Sequence, residues 1–238
     1  MTATEPHDPT ASATIYPDHP AAPPRLSRNE IETLCLKAAR GAGLAWGLAE
    51  EAGFAAGWLA AHGIDGATTA LHHLNTLAPA GTTPIGVANR HWQDASGTAL
   101  CPIALGAALD DHASLAESPH TAPITTGSVS QPVLLVPFLA RMAQANGAAL
   151  SLTWHGGTIC VGPDGVDGPA LIALSQVAQA ALTLAPCAAA AHMGGVATPL
   201  APIPAATLGG LNRLSMRTTV PASVVSRLGA GAAQSDND

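Results

Sequence analysis

Four ionisable side chains lie close together in a part of this sequence that otherwise carries no charge. Lys37, Arg40, Glu50 and Glu51 are the only charged residues between positions 33 and 64. Charged side chains are seldom fully buried unless they are paired, and burial beside other charges shifts pKa values where chemistry is done. The four groups therefore predict a polar cluster, which is either a structural ion-pair network or a functional site.

Two of these side chains have chemistry that sets them apart. Lys37 is the only lysine among nine lysines and arginines. A desolvated lysine can act as a base or form an imine, although its stem can equally lie along a helix with the ammonium group in water. The guanidinium of Arg40 matches a carboxylate through two hydrogen bonds.

These properties give a set of candidate site residues. The candidate catalytic residues are Lys37, Glu50 and Glu51. The candidate ligand-binding residues are Arg40, Trp46 and Arg227. We expect no metal site, and no motif in the sequence points to a particular cofactor.

Other polar groups give weaker signals. His72 and His73 are adjacent, so they point to different sides of a helix, and we expect them to be core or surface histidines. The run Asp110-Asp111-His112 could hold a metal or perform acid–base chemistry. Ligands on one helix are usually three or four residues apart, however, and this run therefore favours a solvated helix surface.

The candidate residues lie on the segment with the clearest helix signals. Ser27 followed by Glu30 predicts a capping box at its start, and Gly63 predicts its end. On one straight helix Arg40 and Glu51 would be about 16 Å apart. The alternative is a break at Gly41-Ala42-Gly43, which would give two shorter helices and could bring the two charges together.

The remaining sequence alternates between helical and strand-like patterns. We predict helices over residues 67–77, 103–115, 133–145 and 205–216, and a hairpin of strands over 149–154 and 158–161. Three further segments are open: 91–101 is irregular with Trp92 as an anchor, 124–130 is a strand or a loop, and 169–182 is a helix that could contain a buried strand.

These elements predict an α+β fold, with an N-terminal helical layer packed on a small central sheet and a helical C-terminal part. We expect a disordered arm over residues 1–24, a single globular domain over 25–228 and a Gly/Asp-rich tail over 229–238.

Composition excludes several classes of function. The formal charge of −7 argues against binding to nucleic acid or to an anionic membrane surface. Residues 168–212 carry no charge, but prolines interrupt them, so we expect no membrane span.

The four cysteines show no C-x-x-C spacing and no basic leader is visible, which predicts a cytoplasmic protein. Only 11% of residues are charged, and such a surface favours association into a homo-oligomer or with a protein partner.

Three blocks of the sequence carry a family resemblance. They are LSRNEIETLCLKAARGAGLAWGLAEEAGFAAGWLAAHGIDG, ALCPIALGAALDD and RTTVPASVVSRLGAGAAQSDND. Together they resemble the bacterial domain-of-unknown-function family 3726 over residues 26 to 238, most specifically at residues 37–52. In that family a tyrosine commonly follows the Arg-Thr pair, where this sequence has Thr219. The resemblance implies relatives but no substrate.

Two functions are compatible with these observations. The first is a cytoplasmic metabolic enzyme or binder of a small anionic molecule, of the carboxylate or keto acid class. The alternative is a non-catalytic accessory subunit or interaction module that packs through its Gly/Ala-rich helices.

Overall fold

The protein has the α+β fold that its sequence predicts. The computed structural model describes residues 23–77, 82–188 and 200–218. The expected arm and the expected tail, with Arg227, lie outside these residues except for positions 23 and 24. The described helices are α1 (Arg28–Gly41), α2 (Trp46–Ala61), α3 (Gly66–Leu74), α4 (Pro102–Asp111), α5 (Val136–Asn146), α6 (Gly168–Ser175) and α7 (Ala205–Ser215). The strands are β1 (Ile85–Ala88), β2 (His91–Asp94), β3 (Ile124–Ser130), β4 (Leu150–Trp154), β5 (Gly157–Gly162), β6 (Gly165–Val166) and β7 (Gln179–Pro186).

The seven strands form one mixed sheet in the order β1-β2-β3-β7-β4-β5-β6. Strand β7 is central and antiparallel to both neighbours, with Leu184 opposite Ile124 of β3 and Leu152 of β4. The β2–β3 pair is parallel. Residues 169–182 therefore contain α6 followed by the beginning of β7. Leu182 and Leu184 of β7 are buried in the core. Among the described residues, no helix is long and apolar enough to cross a membrane.

The first helix begins at the predicted capping box and ends at the predicted break. The Ser27 amide donates to Glu30 Oε2 at 2.7 Å, and Ser27 Oγ accepts from the Glu30 amide at 3.3 Å. After Gly41 the chain turns through Gly43, whose φ of 103° lies in the region that favours glycine. Helix α2 then begins at Trp46. The predicted alternative of two shorter helices is therefore confirmed, and the alternative of one straight helix is wrong.

At two glycines, the backbone of α2 lies directly against the backbones of α1 and of α3. A Cβ added at Gly53 of α2 would lie 2.5 Å from the carbonyl oxygen of Glu32 in α1. A Cβ added at Gly66, where α3 begins, would lie 2.1 Å from the carbonyl oxygen of Ala56. Gly53, one of the glycines of the Gly/Ala-rich helices, therefore packs within the chain.

The C-terminal half agrees with the local signals. Gly147 ends α5 in the left-handed conformation with a φ of 63°, and β4 and β5 form the expected hairpin. Pro132–Leu135 forms a short 3-10 turn before α5.

Residues 91–101 are not wholly irregular, because β1 and β2 form a hairpin through Asn89 and Arg90, both with positive φ. Trp92 is 2% exposed and is an anchor of the core, as predicted.

The close approach of α1 and α2 predicts opposite effects for two Gly-to-Ala substitutions. Gly53→Ala should destabilise the protein by about 1–3 kcal/mol, because the added methyl group meets backbone that cannot move aside. Gly209→Ala is the matched control, since Gly209 is an exposed helical glycine in α7 where an added methyl group would meet no atom within 4 Å. It should be neutral or stabilise the helix by up to about 1 kcal/mol. Urea unfolding of both variants measures the difference, and equal stability would contradict this packing.

Candidate functional site

The four charged residues predicted to form one cluster occupy two places. Lys37 and Glu50 are exposed, whereas Arg40 and Glu51 are half-buried. The break after α1 turns α2 so that Glu51 meets α5, while Lys37 and Arg40 lie beside α7. The predicted single cluster of all four side chains is therefore wrong, because the break after α1 gives Arg40 and Glu51 different neighbours instead of bringing them together.

Glu51 belongs to an ion-pair network centred on Arg141 of α5. Arg141 Nη2 lies 3.1 Å from Glu51 Oε2, and Arg141 Nε lies 2.8 Å from Asp110 Oδ2 of α4, although the Nε–H direction is poor for a hydrogen bond. The guanidinium also stacks over Phe54 and Phe138, at 4.9 and 5.3 Å from the ring centroids. One cation between two carboxylates and two rings ties α2, α4 and α5 together. This arrangement corresponds to the structural interpretation of Glu51, and it also places Asp110 in an ion pair instead of free in solvent.

Lys37, Arg40 and Trp46 line one open cleft of about 680 Å³ between the ends of α1 and α7. Arg40 Nη1 donates to the Leu44 carbonyl at 2.5 Å, which holds the guanidinium over the turn into α2. The Arg40 Cζ atom lies 5.6 Å from the centroid of the Trp46 ring. The indole is 61% exposed and forms one wall of the cleft. Asn212 and Ser215 of α7 also line the cleft.

Two cationic side chains, Lys37 and Arg40, line the cleft. Neither Lys37 nor Arg40 forms an ion pair with any residue that the structure describes. Helix α2 begins at Trp46, which lines the cleft, and its N-cap residue Ala45 makes no side-chain capping hydrogen bond. Uncapped amide groups and the helix dipole attract anions. One carboxylate, that of Glu50, lies nearby, where it accepts from Trp46 Nε1 at 2.8 Å.

A second constellation was not predicted from the sequence. His73 of α3 lies between two partners: its Nε2 is 3.2 Å from Cys101 Sγ, and its Nδ1 is 3.2 Å from Ser130 Oγ. All three residues are buried, with exposures of 2%, 9% and 8% for His73, Cys101 and Ser130. They line a cavity of about 210 Å³. The adjacent His72 is exposed, as the prediction that the two histidines point to different sides requires.

Burial keeps both members of the Cys–His pair uncharged. It lowers the pKa of the His73 imidazole to about 4. It raises the pKa of the Cys101 thiol to about 11, although the amide groups of Ala104 and Ile103 oppose the rise. The pair therefore rests as thiol and neutral imidazole at neutral pH.

One local signal could have pointed to Cys101. It precedes Pro102, a residue typical of the first turn of a helix, and a thiol at a helix N-terminus is a recognised reactive position. Its partners carry no such signal, because His73 is 28 residues before it in the sequence.

Another cavity, of about 390 Å³, lies where α2 meets α5 and the turn between β5 and β6. Its lining includes Arg28, Trp58, His62 and Arg141, and the Trp58 and His62 rings stack with centroids 3.6 Å apart. Both arginines are already paired with carboxylates. This cavity therefore lacks the unpaired positive charge of the cleft. In the described part of the chain, no three His, Cys, Asp or Glu side chains are grouped to hold a metal ion.

Part of the chain that carries the two constellations matches a known sequence family. Residues 26–105 match the model of a family described as "Protein of unknown function (DUF3726)". This match confirms the predicted resemblance over that part of the chain. No curated protein matches the chain. The DUF3726 match contains Lys37, Arg40, Trp46, His73 and Cys101, whereas Ser130 and Arg141 lie beyond it.

The buried imidazole of His73 predicts a loss of stability in mild acid. The unfolded chain binds a proton near pH 6.5, whereas folded His73 binds one only near pH 4. Between these values the unfolded state holds more protons, so the free energy of unfolding falls as the pH is lowered. His73 should contribute a loss of about 2 kcal/mol between about pH 7 and about pH 5.

Urea unfolding of the wild type and of His73→Gln at both pH values measures this contribution. The variant removes the titrating group, so it should lose less stability than the wild type over the same interval. Parallel losses in the two proteins would show that His73 does not titrate in this way.

Proposed function

We propose that this protein binds a small organic anion, of the carboxylate or keto acid class, in the cleft between α1, α2 and α7. The observation that carries the proposal is the meeting of three features at one place. These are two cations without an ion-pair partner among the described residues, an uncapped helix N-terminus and an exposed indole.

Arg40 is the main anion-binding group in this proposal. Its hydrogen bond to the Leu44 carbonyl uses one Nη1 donor, and the other guanidinium N–H groups have no described partner. A guanidinium can bind both oxygens of a carboxylate in one plane. The anchored orientation lowers the conformational entropy lost when the ligand binds.

Lys37 and the start of α2 complete the binding site. The Lys37 ammonium adds a second positive charge on the same wall of the cleft, one helical turn before Arg40. Amides in the first turn of α2 can donate to a carboxylate oxygen, as helix N-termini do for many anions. Gly47 leaves open space there, since an added Cβ would meet no atom within 4 Å. The Trp46 ring provides an apolar wall for the ligand's carbon skeleton.

An enzymatic form of the proposal assigns acid–base or imine chemistry to Lys37 and a carboxylate role to Glu50. Lys37 lines the cleft, and Glu50 lies next to it, where its carboxylate accepts a hydrogen bond from the Trp46 indole. Glu51 is left out of this chemistry, since its carboxylate is paired with Arg141. We also propose a cytoplasmic location, which is supported by four cysteines that are all free thiols.

The alternative proposal of an accessory subunit or homo-oligomer is supported by the same surface. Trp46 and Met216 are 61% and 64% exposed and both line the cleft. Large exposed apolar side chains are enriched in protein interfaces. In this version the cleft binds a partner chain instead of a metabolite.

Isothermal titration with a panel of small acids tests the first proposal. Pyruvate, 2-oxoglutarate, malate and benzoate represent keto, dicarboxylic, hydroxy and aromatic acids. At least one should bind, and Arg40→Gln should weaken that binding about 10- to 100-fold, because it removes a charged hydrogen-bond partner. Lys37→Gln should weaken it less, whereas Lys37→Arg should preserve binding and abolish only chemistry that needs an amine.

Arg213→Gln is the matched control for net charge. Arg213 is an exposed cation in the last turn of α7 and does not line the cleft. This variant should bind the same acid with unchanged affinity. No binding by any acid, or equal weakening by Arg213→Gln and Arg40→Gln, would contradict the assigned site. A concentration-dependent dimer that Trp46→Ala dissociates would favour the alternative.

A further inference from the structure

The His73–Cys101–Ser130 constellation has the order of a nucleophile, a base and a group that orients the base. The imidazole reaches the thiol through Nε2 and the hydroxyl through Nδ1, each at 3.2 Å. If Nδ1 carries the proton and donates it to Ser130 Oγ, Nε2 is left with its lone pair directed at the Cys101 thiol. This is the geometry in which a neutral imidazole takes a proton from a nucleophile.

The positions of the three residues are fixed by independent backbone contacts. The Leu100 amide donates to the Ser128 carbonyl at 2.7 Å, and the Ser130 amide donates to the Leu100 carbonyl at 3.1 Å. These bonds hold the residue before Cys101 against β3, which carries Ser130. His73 approaches from the last turn of α3. Sheet, helix N-terminus and helix C-terminus therefore converge on one side chain.

A place for developing negative charge lies next to the thiol. Cys101 is the N-cap of α4. The Leu105 amide donates the first helical hydrogen bond to the Cys101 carbonyl, at 2.9 Å. The amides of Ile103 and Ala104 precede that bond and have no helical partner, and Pro102 has no N–H. Hydrogen bonding from both amides lowers the pKa of the Cys101 thiol, so both amides point to its side of the helix end. Such paired amides can stabilise an oxyanion.

The cavity beside the thiol is suited to an uncharged group. Apart from the neutral imidazole, the residues that the structure describes in its lining carry hydroxyl, amide, thiol and aliphatic side chains, with no Asp, Glu, Lys or Arg among them. Four threonines, Thr76, Thr82, Thr83 and Thr98, supply hydroxyl groups along its walls. Its volume of about 210 Å³ accommodates a small acyl group and its leaving atom.

The other thiols of the chain show what Cys101 has in addition. Cys35 is fully buried, and burial, together with the Asp65 charge, raises its pKa to about 12. It lines none of the cavities described above and makes no hydrogen bond to a histidine among the described residues. Cys160 and Cys187 are half-buried and are likewise without a histidine partner there. Within the described parts of the chain, Cys101 is the one thiol of these four that combines an imidazole partner, a cavity and helix-end amides without a helical partner.

We propose that Cys101 is a nucleophile that accepts an acyl group from a small uncharged ester or thioester, with His73 as its base and Ser130 as a positioning residue. The site shares no lining residue with the cleft at Lys37 and Arg40, so the two proposals are independent.

The reaction proceeds by two acyl transfers, first from the ester or thioester to Cys101 and then from Cys101 to water. As Cys101 Sγ bonds to the carbonyl carbon, its proton moves to His73 Nε2, and the carbonyl oxygen becomes negative beside the Ile103 and Ala104 amides. The tetrahedral adduct then collapses, the bond to the leaving oxygen or sulfur breaks, and that atom takes the proton from Nε2. Water next attacks the thioester carbon while Nε2 takes a water proton. The departing Cys101 sulfur recovers this proton, and a carboxylic acid is released.

The test uses p-nitrophenyl acetate, a small uncharged activated ester, with the full-length protein. Stopped-flow absorbance should show a burst of about one equivalent of p-nitrophenol, because one thiol per chain is acylated before water hydrolyses the thioester. Peptide mass mapping of the quenched protein should place a single acetyl group on Cys101. His73→Gln should slow the burst at neutral pH about 10²- to 10⁴-fold, the contribution expected of a general base.

Three further measurements separate this role from a structural one. Cys160→Ser should keep the burst, and Cys101→Ser should abolish it. Ser130→Ala should slow acylation while changing its pH profile, since the orientation and basicity of the imidazole change together. Acetyl groups spread over several residues, an unmodified Cys101, or a folded His73→Gln variant that reacts as fast as the wild type would each overturn the proposal. The mapping of the wild-type protein decides the question even where a variant fails to fold.

Discussion

The close contact of the α1, α2 and α3 backbones is the constraint on which the rest of the structure depends. Aromatic residues make up only 3% of the chain, so large side chains cannot fill the space between helices. Alanine and glycine occupy the contacts instead, and the helices touch through carbonyl oxygens and Cα atoms. Dispersion contacts of this kind are individually weak and are favourable only when the surfaces fit closely. The direction of each helix is therefore set by its neighbour's backbone.

Both candidate sites follow from this packing. The turn at Gly43 leaves the N-terminus of α2 beside the last turns of α1, which is why Arg40 and Trp46 meet. Gly66 seats the start of α3 against Ala56 of α2, and this contact sets the direction in which α3 delivers His73 to the N-terminus of α4. One site lies on the surface and is positively charged, while the other is buried and uncharged. The same helical layer positions both.

The features that sequence predicted correctly are those determined by neighbouring residues. The capping box at Ser27 and the hairpin of β4 and β5 each depend on a few adjacent positions. Arg40 and Trp46 line one cleft because they lie on the two sides of the break predicted at Gly41-Ala42-Gly43, whereas their role in binding a ligand stays a prediction.

The features that were missed depend on distant partners. Strand β7 was only an alternative within a helical prediction, since an Ala- and Leu-rich run suits a helix until two other strands pair with it. The partner of Glu51 is Arg141, which lies 90 residues away. The pairing of His73 with Cys101 requires the end of α3 to lie beside the start of α4, although the β1–β2 hairpin separates them in the sequence. No local pattern predicts that contact. Local rules cannot reveal a contact whose two halves are unremarkable when taken separately.

The central place of β7 has a consequence for synthesis on the ribosome. Its neighbours β3 and β4 both precede it in the sequence, yet they do not pair with each other and are joined only when β7 enters between them. Until residue 186 has left the exit tunnel, each of these strands presents an unpaired edge, and such edges recruit strands from other chains. Chaperone occupancy on the nascent chain should accordingly persist through the translation of this late segment.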